Sequence, residues 1–354
     1  MLDPAVHDRI LRSMNFQEGD RVPIWDYMDN HAALEHFAPG ETDLLAANVK
    51  VYHGLGIDLC RGYGGAYAPE DDGRCDTAED GTVCRRISGR TAWAVTKPIP
   101  TLEDLRAFQP EPPNLEWICD EWAPGIRRNQ EGFAPYTMFV PGTGCGFHGT
   151  YDLMGLQRFS YALYDAWDDV ARLLEANNAG PVEVAKAAAE AKLCPLFFIG
   201  DDVAFKGRLM FSPELLRRTF IPMLANVCRP LKEAGIKVIF HSDGDVTPII
   251  DDMIEAGVDG LNPIEPLAGM DIANLKRRYY GRLILVGNVD CSQVLPLGTP
   301  EQVRAATRQC LRDAAPGGGH FIGSSSEITP ATPLENILAF YETCREEGRY
   351  PIRC

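Results

Sequence analysis

The stretch Lys237-Val-Ile-Phe-His-Ser-Asp-Gly-Asp-Val-Thr-Pro-Ile-Ile250 sets the frame for the whole chain. Its first four residues, Lys237 to Phe240, have the character of a short buried strand. The apolar run stops at His241, Ser242, Asp243 and Gly244, and Thr247-Pro248 opens a helix. An imidazole and a carboxylate two residues apart, at the C-terminal end of a strand, can hold a metal, move a proton or grip a polar substrate. They can equally be a histidine satisfied by its own loop and an aspartate that caps the next turn. Repetition favours chemistry. Short apolar runs recur and end in acids, amides or hydroxyls at Leu196-Phe-Phe-Ile-Gly-Asp201-Asp202, Gly260-Leu-Asn262-Pro-Ile-Glu265, Leu283-Ile-Leu-Val-Gly-Asn288-Val-Asp290 and His320-Phe-Ile-Gly-Ser-Ser-Ser326.

Downstream of 237–240 the beat is regular: helix 248–256, strand 260–264, helix 272–279, strand 283–287, helix 300–314, strand 320–323, helix 333–347. Upstream, a helix over Pro4 to Met14 precedes a first strand within Asp20 to Tyr27, and a helix over Asp43 to Leu55 precedes a second strand within Gly56 to Arg61. Tyr136 to Val140 and Leu196 to Gly200 are the third and fourth strands, separated by a helix from Asp165 to Lys192. Ser212-Pro213 then starts a helix that runs to Gly235. Thr299-Pro-Glu-Gln302 and Thr332-Pro-Leu-Glu335 are capping boxes with proline at the first helical position. Eight short apolar strands alternating with amphipathic helices predict an α/β fold, a single (β/α)8 TIM barrel spanning 1–354. An open doubly wound sheet is the alternative, but no GxGxxG follows the first strand. Residues 62–133 break the rhythm, and the strands on either side of Ser88-Gly89 mark a hairpin-containing insertion after strand 2 that covers the barrel mouth.

With 45% hydrophobic and 24% charged residues, the composition is that of a soluble globular protein with a sizeable core. Fifty acids against 34 bases give a formal charge of −16, which argues against nucleic acid and against an anionic membrane surface. No run of about 18 apolar residues exists, and Met1 to Asp8 lacks the features of a signal peptide, so a cytoplasmic location is expected. The eleven cysteines include no CxxC and are expected to be mostly reduced. Cys119, Cys194, Cys228, Cys310 and Cys344 lie in or beside apolar periodic stretches and serve as core filler. Cys75 and Cys84 can pair across the insertion, although reduced thiols suit the cytoplasm better.

In a barrel the catalytic groups come from the C-terminal ends of several strands. That rule places Asp26, Asp58, Cys145, Asp202, His241, Asp243, Asn262, Glu265, Asn288, Asp290 and Ser326 around one mouth, and the glycine-rich loop after strand 3 adds Tyr151. Of the adjacent Asp201 and Asp202, which point to opposite sides, Asp202 is taken as the inward one. Cys145 and His148, three residues apart, are a further metal-binding pair to consider. Carboxylates dominate this ring, so a polyanionic substrate would be repelled unless a cation intervenes. Metal, or a neutral or cationic substrate, fits better.

Arg21-Val-Pro-Ile-Trp, Ser212-Pro-Glu-Leu-Leu-Arg, His241-Ser-Asp-Gly, Gly287-Asn288-Val-Asp290, Gly298-Thr-Pro-Glu-Gln-Val and Thr332-Pro-Leu-Glu-Asn336-Ile, in this order, resemble the uroporphyrinogen decarboxylase superfamily. That superfamily also holds methyltransferases that move methyl groups to or from corrinoid proteins. Its decarboxylases carry an arginine-rich segment after the first strand to hold substrate carboxylates. Here the segment reads Asp26-Tyr-Met-Asp29-Asn-His31, and Ser326 stands where decarboxylases have a histidine. A ring of acids cannot replace arginines that grip a polycarboxylate. The methyltransferases acting on coenzyme M hold zinc through a His-x-Cys motif and a later Cys. His241 matches the histidine, whereas Asp243 and Ser326 replace the thiols, and harder oxygen ligands favour an ether or alcohol oxygen over sulfur.

The resemblance therefore implies a corrinoid-linked methyltransferase of the demethylase type. It would take a methyl group from a small, methoxylated substrate and pass it to a separate corrinoid protein, with zinc as a possible metal and a homodimer as a possible state. His241, Asp243 and Asp202 are the expected catalytic residues, and His241, Asp243 and Glu265 the expected metal ligands. Asp26, Asp58, Cys145, Tyr151, Asn262, Glu265, Asn288, Asp290 and Ser326 would line the substrate. A decarboxylase of a small acid and a non-catalytic ligand-binding barrel are the alternatives.

Overall fold

The apolar runs that end in polar residues are strands, and they pair in parallel in chain order. The computed structural model describes residues 1–64, 75–77, 83–86 and 92–354. Leu196–Gly200 lies beside Lys237–His241, with Phe198 level with Ile239 and Gly200 with His241. Gly260–Asn262, Ile284–Val286 and His320–Phe321 follow, each paired with the strand before it. On the other side Gly142–Thr143 pairs with Leu196–Gly200, and, across Pro141, Met138–Phe139 pairs with Leu59–Cys60. Single parallel bridges join Trp25 to Leu59 and Ile24 to Ile322, so the eighth strand segment meets the first. The fold is α/β with parallel strands, and the pairings close into a ring.

Side chains alternate across a strand, so each segment offers one parity to the inside and the other to the helices. Trp25, Leu59, Met138, Val140, Leu196, Phe198, Ile239, Ile284, Val286 and Phe321 form one apolar cluster, which fills the ring. The sixth segment contributes Gly260 there, because a Cβ at that position would stand 2.5 Å from Ile239 Cδ1. Residues of opposite parity, such as Ile24, Phe197, Val238, Phe240 and Leu285, pack outward with helix residues such as Val227 and Leu231 in a second cluster. Pro4–Met14, capped by Asp3, adds Val6, Ile10 and Met14 to the interior. The Ser13 carbonyl accepts from Gly319 N and Asp3 N donates to the Pro135 carbonyl, both just ahead of strands, so this helix closes the ring's N-terminal end.

Local signals place most helices where the sequence puts them. Thr299 and Gln302 make the reciprocal capping box at the start of Pro300–Ala314. The second expected box does not form. Leu334–Glu347 begins after Pro333 without a side-chain cap, and Thr332 is buried with its carbonyl accepting from Asn30 Nδ2 at 2.9 Å. The helix expected from Ser212 to Gly235 is two helices, Pro213–Arg218 and Phe220–Glu233, broken at Thr219, and Ser212 caps the first. Among the described residues no helix is long and apolar enough to cross a membrane.

Within the excursion, Cys75–Thr77, Val83–Arg86 and Ala92–Ala94 pair as an antiparallel three-stranded sheet, while the Ser88-Gly89 turn lies outside the described residues. Asp76 stands opposite Cys84, which sends the Cys75 and Cys84 side chains to opposite faces, and all eleven cysteines are free. Ala123–Phe133 packs against Leu44–Leu55 and buries Phe133 on Tyr52, with ring centroids 5.1 Å apart. It also contacts the Met138–Phe139 strand. Cys119 is exposed, contrary to the core role expected of it, whereas Cys194, Cys228, Cys310 and Cys344 are buried. Replacing Cys228 or Cys310 with Ala is expected to lower stability by about 1 kcal/mol. Turnover should stay within twofold. A larger loss of turnover than of stability, in paired denaturation and rate measurements, would place a thiol in the site.

Candidate active site

The parity that fills the ring also decides which side chains stand above the filling at its C-terminal rim. Two residues beyond Trp25, Leu59, Ile239 and Gly260 come Tyr27, Arg61, His241 and Asn262, next to Phe198 of the filling. His241 and Asn262 are register partners on neighbouring strands, and His241 Nδ1 lies 2.7 Å from Asn262 Oδ1. An amide oxygen only accepts, so Nδ1 carries the proton and Nε2 presents a lone pair. That nitrogen lies 3.8 Å from Asp243 Oδ1. Asp202 Oδ1 accepts from Asp243 N at 2.9 Å, and its other oxygen is 3.7 Å from His148 Nδ1. The His148 ring stacks on Tyr151 with centroids 4.8 Å apart, and the Tyr151 hydroxyl donates to the Asp202 carbonyl at 3.0 Å.

Two devices hold these loops. Asp201, of the opposite parity to Asp202, is buried, and its carboxylate accepts from the backbone N–H groups of Cys145, Gly146 and His148. Gly244 takes φ +86°, and a Cβ there would sit 2.3 Å from Phe205 N, so the turn after His241 can press on the antiparallel pair Ala204–Phe205 and Arg208–Leu209 only as glycine. Its N–H donates to Glu265 Oε2 at 3.0 Å.

Burial, reinforced by the Arg61 cation, lowers His241 to about 4, against the opposing pull of Asn262 and Asp202. Burial and the neighbouring charges of Asp202 and Glu265 push Asp243 up to about 6. Near neutral pH the site therefore offers a neutral imidazole nitrogen between two carboxylates. Ligand atoms of Asp202, His241 and Asp243 all lie within 4.8 Å of one another, and Asp243 Oδ1 is buried without a hydrogen-bond partner. Two hard oxygens and one imidazole nitrogen suit a divalent cation such as zinc, and the unpartnered oxygen is the feature such an ion would satisfy.

The structure brings together Asp202, His241, Asp243 and Asn262, with Tyr151 and Glu265 beside them. The third member of the cluster is Asp202, whereas the Glu265 carboxylate accepts from the Gly244 N–H. Asp26 is a buried tether: it accepts from Ser324 N, Ser324 Oγ and Tyr341 Oη, and burial pushes it up to about 6. Asp58 precedes its strand and lies at the opposite end of the ring, where it accepts from Arg9, Arg21 and Ile24 N. Cys145 is fully buried and burial holds its thiol well above the usual range, while the His148 ring turns to Asp202 and Tyr151. Asn288 and Asp290 are buried and shape the loop after the seventh strand: Asn288 Nδ2 donates to the Ile264 carbonyl at 3.0 Å, and Asp290 caps Val294 N at 3.0 Å. Ser326 is half-buried, while Ser324 and Ser325 make the hydrogen bonds of that loop.

Arg61 and Tyr27 belong to the rim, with Phe198 of the filling in contact, and all three lie outside the expected set of site residues. The Arg61 guanidinium lies over the rings of Tyr27 and Phe198 at 4.9 and 5.0 Å, and the Phe198 ring is 5.4 Å from that of His241. Counting by twos from Leu59 would have found Arg61.

Residues 88–347 match the family model described as uroporphyrinogen decarboxylase (URO-D). A methylated-thiol–coenzyme M methyltransferase of Methanosarcina mazei is 24% identical over 151 residues, 43% of this chain and 38% of that protein. Methylcobamide:CoM methyltransferase MtaA of Methanosarcina barkeri is 27% identical over 188 residues, 53% of this chain and 52% of that protein. A uroporphyrinogen decarboxylase of Coxiella burnetii is 35% identical over 72 residues, 20% and 19% of the two chains. The matched stretches span about half or less of these relatives' length. A solved methyltransferase from Methanosarcina mazei shares the fold at a TM-score of 0.71 and 21% identity, covering 96% of this chain and 98% of its own. With the family model matched over the greater part of its length, the chain belongs to the uroporphyrinogen decarboxylase (URO-D) family.

Proposed function

We propose that this chain is a corrinoid-linked methyltransferase of the demethylase type, which takes a methyl group from a small methoxylated molecule and delivers it to the cobalt of a separate corrinoid protein. The observation that carries this reading is the cluster of Asp202, His241 and Asp243 with its unpartnered Asp243 oxygen. Methyltransferases among the relatives support it. The reading takes the closed ring as a (β/α)8 TIM barrel of one domain, with the 62–133 insertion covering the mouth that the corrinoid protein approaches.

In the proposed reaction the methyl–oxygen bond breaks with its electron pair left on oxygen. The methyl group joins cobalt(I), formally oxidised to cobalt(III), and the oxygen takes a proton from water. Negative charge develops on a poor leaving group and must be met. A divalent cation held by Asp202, His241 Nε2 and Asp243 would supply Lewis-acid stabilisation of that oxygen. Asn262 fixes the His241 tautomer so that Nε2 faces the cluster. With its basicity depressed, Nε2 stays neutral above about pH 4, ready as a ligand and without a proton to give. Asp202 holds the Asp243 backbone in register.

Mixing the protein with a reduced corrinoid protein and a methoxylated aromatic compound should replace the cobalt(I) spectrum with that of methyl-cobalt, at a rate proportional to enzyme. Carbon dioxide release from a small acid, without methyl-cobalt, would favour a lyase instead. Purified without added metal, the protein is expected to carry about one divalent cation per chain. Asp243→Asn should weaken that binding at least about tenfold. Metal-free protein that transfers methyl at the full rate would remove the Lewis-acid role.

A further inference from the structure

We propose that Arg61 is an anion subsite that receives the carboxylate of the substrate, so that the molecule demethylated here is a methoxylated aromatic acid. This inference rests on the methyl-transfer reading and adds the substrate's class to it.

Arg61 follows Leu59 by two residues and so shares its inward parity, one layer nearer the rim. Its guanidinium is held by the rings of Tyr27 and Phe198. Among the described residues its direct contacts are these rings, and no carboxylate or carbonyl lies within hydrogen-bonding distance of its guanidinium. Arg208, Arg218 and Arg282 also lie over rings, whereas other arginines of this chain meet acids. Arg9, Arg21, Arg217 and Arg308 each meet a carboxylate at 3.2 Å or less. A guanidinium positioned by aromatic rings keeps its N–H donors for an incoming acceptor, and its planar fork matches a carboxylate in two parallel hydrogen bonds.

The surroundings narrow the ligand further. Asp202, Asp243 and Glu265 stand at the same rim, and Arg61's charge is felt at both His241 and Asp243. A multiply charged anion would be repelled by three carboxylates, whereas a monoanion pairs with one cation at least cost. The Phe198 ring touches both Arg61 and His241, and Tyr27 adds a second ring. A flat aromatic body laid against them would reach from the guanidinium toward the Asp202, His241 and Asp243 cluster, with its methoxy oxygen at the latter. Arg61 is then a substrate-binding residue that decides between charged and neutral methoxy compounds.

The test is calorimetric binding of 4-methoxybenzoate and 4-methoxybenzamide to the full-length protein, beside methyl-cobalt formation with both. The acid should bind at least tenfold more tightly than the amide. Arg61→Met should erase the difference by weakening the acid, and Arg61→Lys should restore part of it. Should Arg61→Met not fold, Arg61→Gln removes the charge and allows the same comparison. Equal binding of acid and amide to the natural protein, or undiminished acid binding by the variant, overturns the subsite. Arg61-dependent acid binding with no methyl-cobalt from any methoxy compound keeps the subsite and rejects the methyl-transfer reading. Methyl-cobalt formed as readily from the amide as from the acid does the reverse.

Discussion

His241→Ala is expected to cut methyl transfer at least about a hundredfold, the scale of losing a positioned catalytic group. The ring nitrogen is the neutral member of a cluster whose other two members are carboxylates. Without it, Asp202 and Asp243 face each other with less to hold a cation and more mutual repulsion. Asn262 Oδ1 loses its donor at the same time. The fold should survive, because His241 stands above the apolar filling of the ring and not within it. The measurement is the initial rate of methyl-cobalt formation, with a melting curve and a metal assay on the same preparation. A variant with near-normal transfer would return His241 to a structural role and take most of the proposed site with it.

Asp58→Ala should instead strike the fold, at about 3–5 kcal/mol, the range for breaking a buried ion pair from one side. Its carboxylate accepts from Arg9 Nη1 at 2.5 Å, from Arg21 Nη1 at 2.7 Å and from Ile24 N at 2.8 Å. Arg9 is 8% exposed and Asp58 1%, so the substitution strands a guanidinium with little access to water. Asp20 continues to hold Arg9 from the other side, which places the loss within that range and not above it. Denaturant midpoints would report the effect. Adding Arg9→Met to Asp58→Ala should recover part of the loss, since the uncompensated charge goes with it. Full stability in the single variant together with weakened substrate binding would put Asp58 back at the rim.

These two residues also mark the boundary of what the sequence discloses. Lys237 to Phe240 and Leu196 to Gly200 are legible as strands, and 272–279 and 300–314 as helices, because period, capping and proline placement are local signals. His241, Asp243, Asp202 and Asn262 follow from those strands. Asp26 and Asp58 do not, because an acid near a strand's end faces the ring's interior only when its parity matches. Asp26 is one residue from the inward Trp25 and so faces the last helix, and Asp58 comes before the inward Leu59 at the wrong end of the strand. The same count places Arg61 inward. Other features depend on partners far along the chain: Asp201 orders the Cys145 to His148 loop from 53 to 56 residues away, and no local pattern shows it.

The closure of the ring has a consequence for how the chain folds. Asp26 meets Ser324 and Tyr341 across separations of 298 and 315 residues, and the Ile24–Ile322 bridge lies beside them. Such contacts cannot form until the chain reaches Tyr341, and contacts of long sequence separation are the slow ones. A chain still emerging from the ribosome therefore carries an open sheet whose first strand has a bare edge, which is a template for pairing with the wrong neighbour. Until the seam at Ile24 and Ile322 closes, the edge of the first strand stays open to the wrong partner.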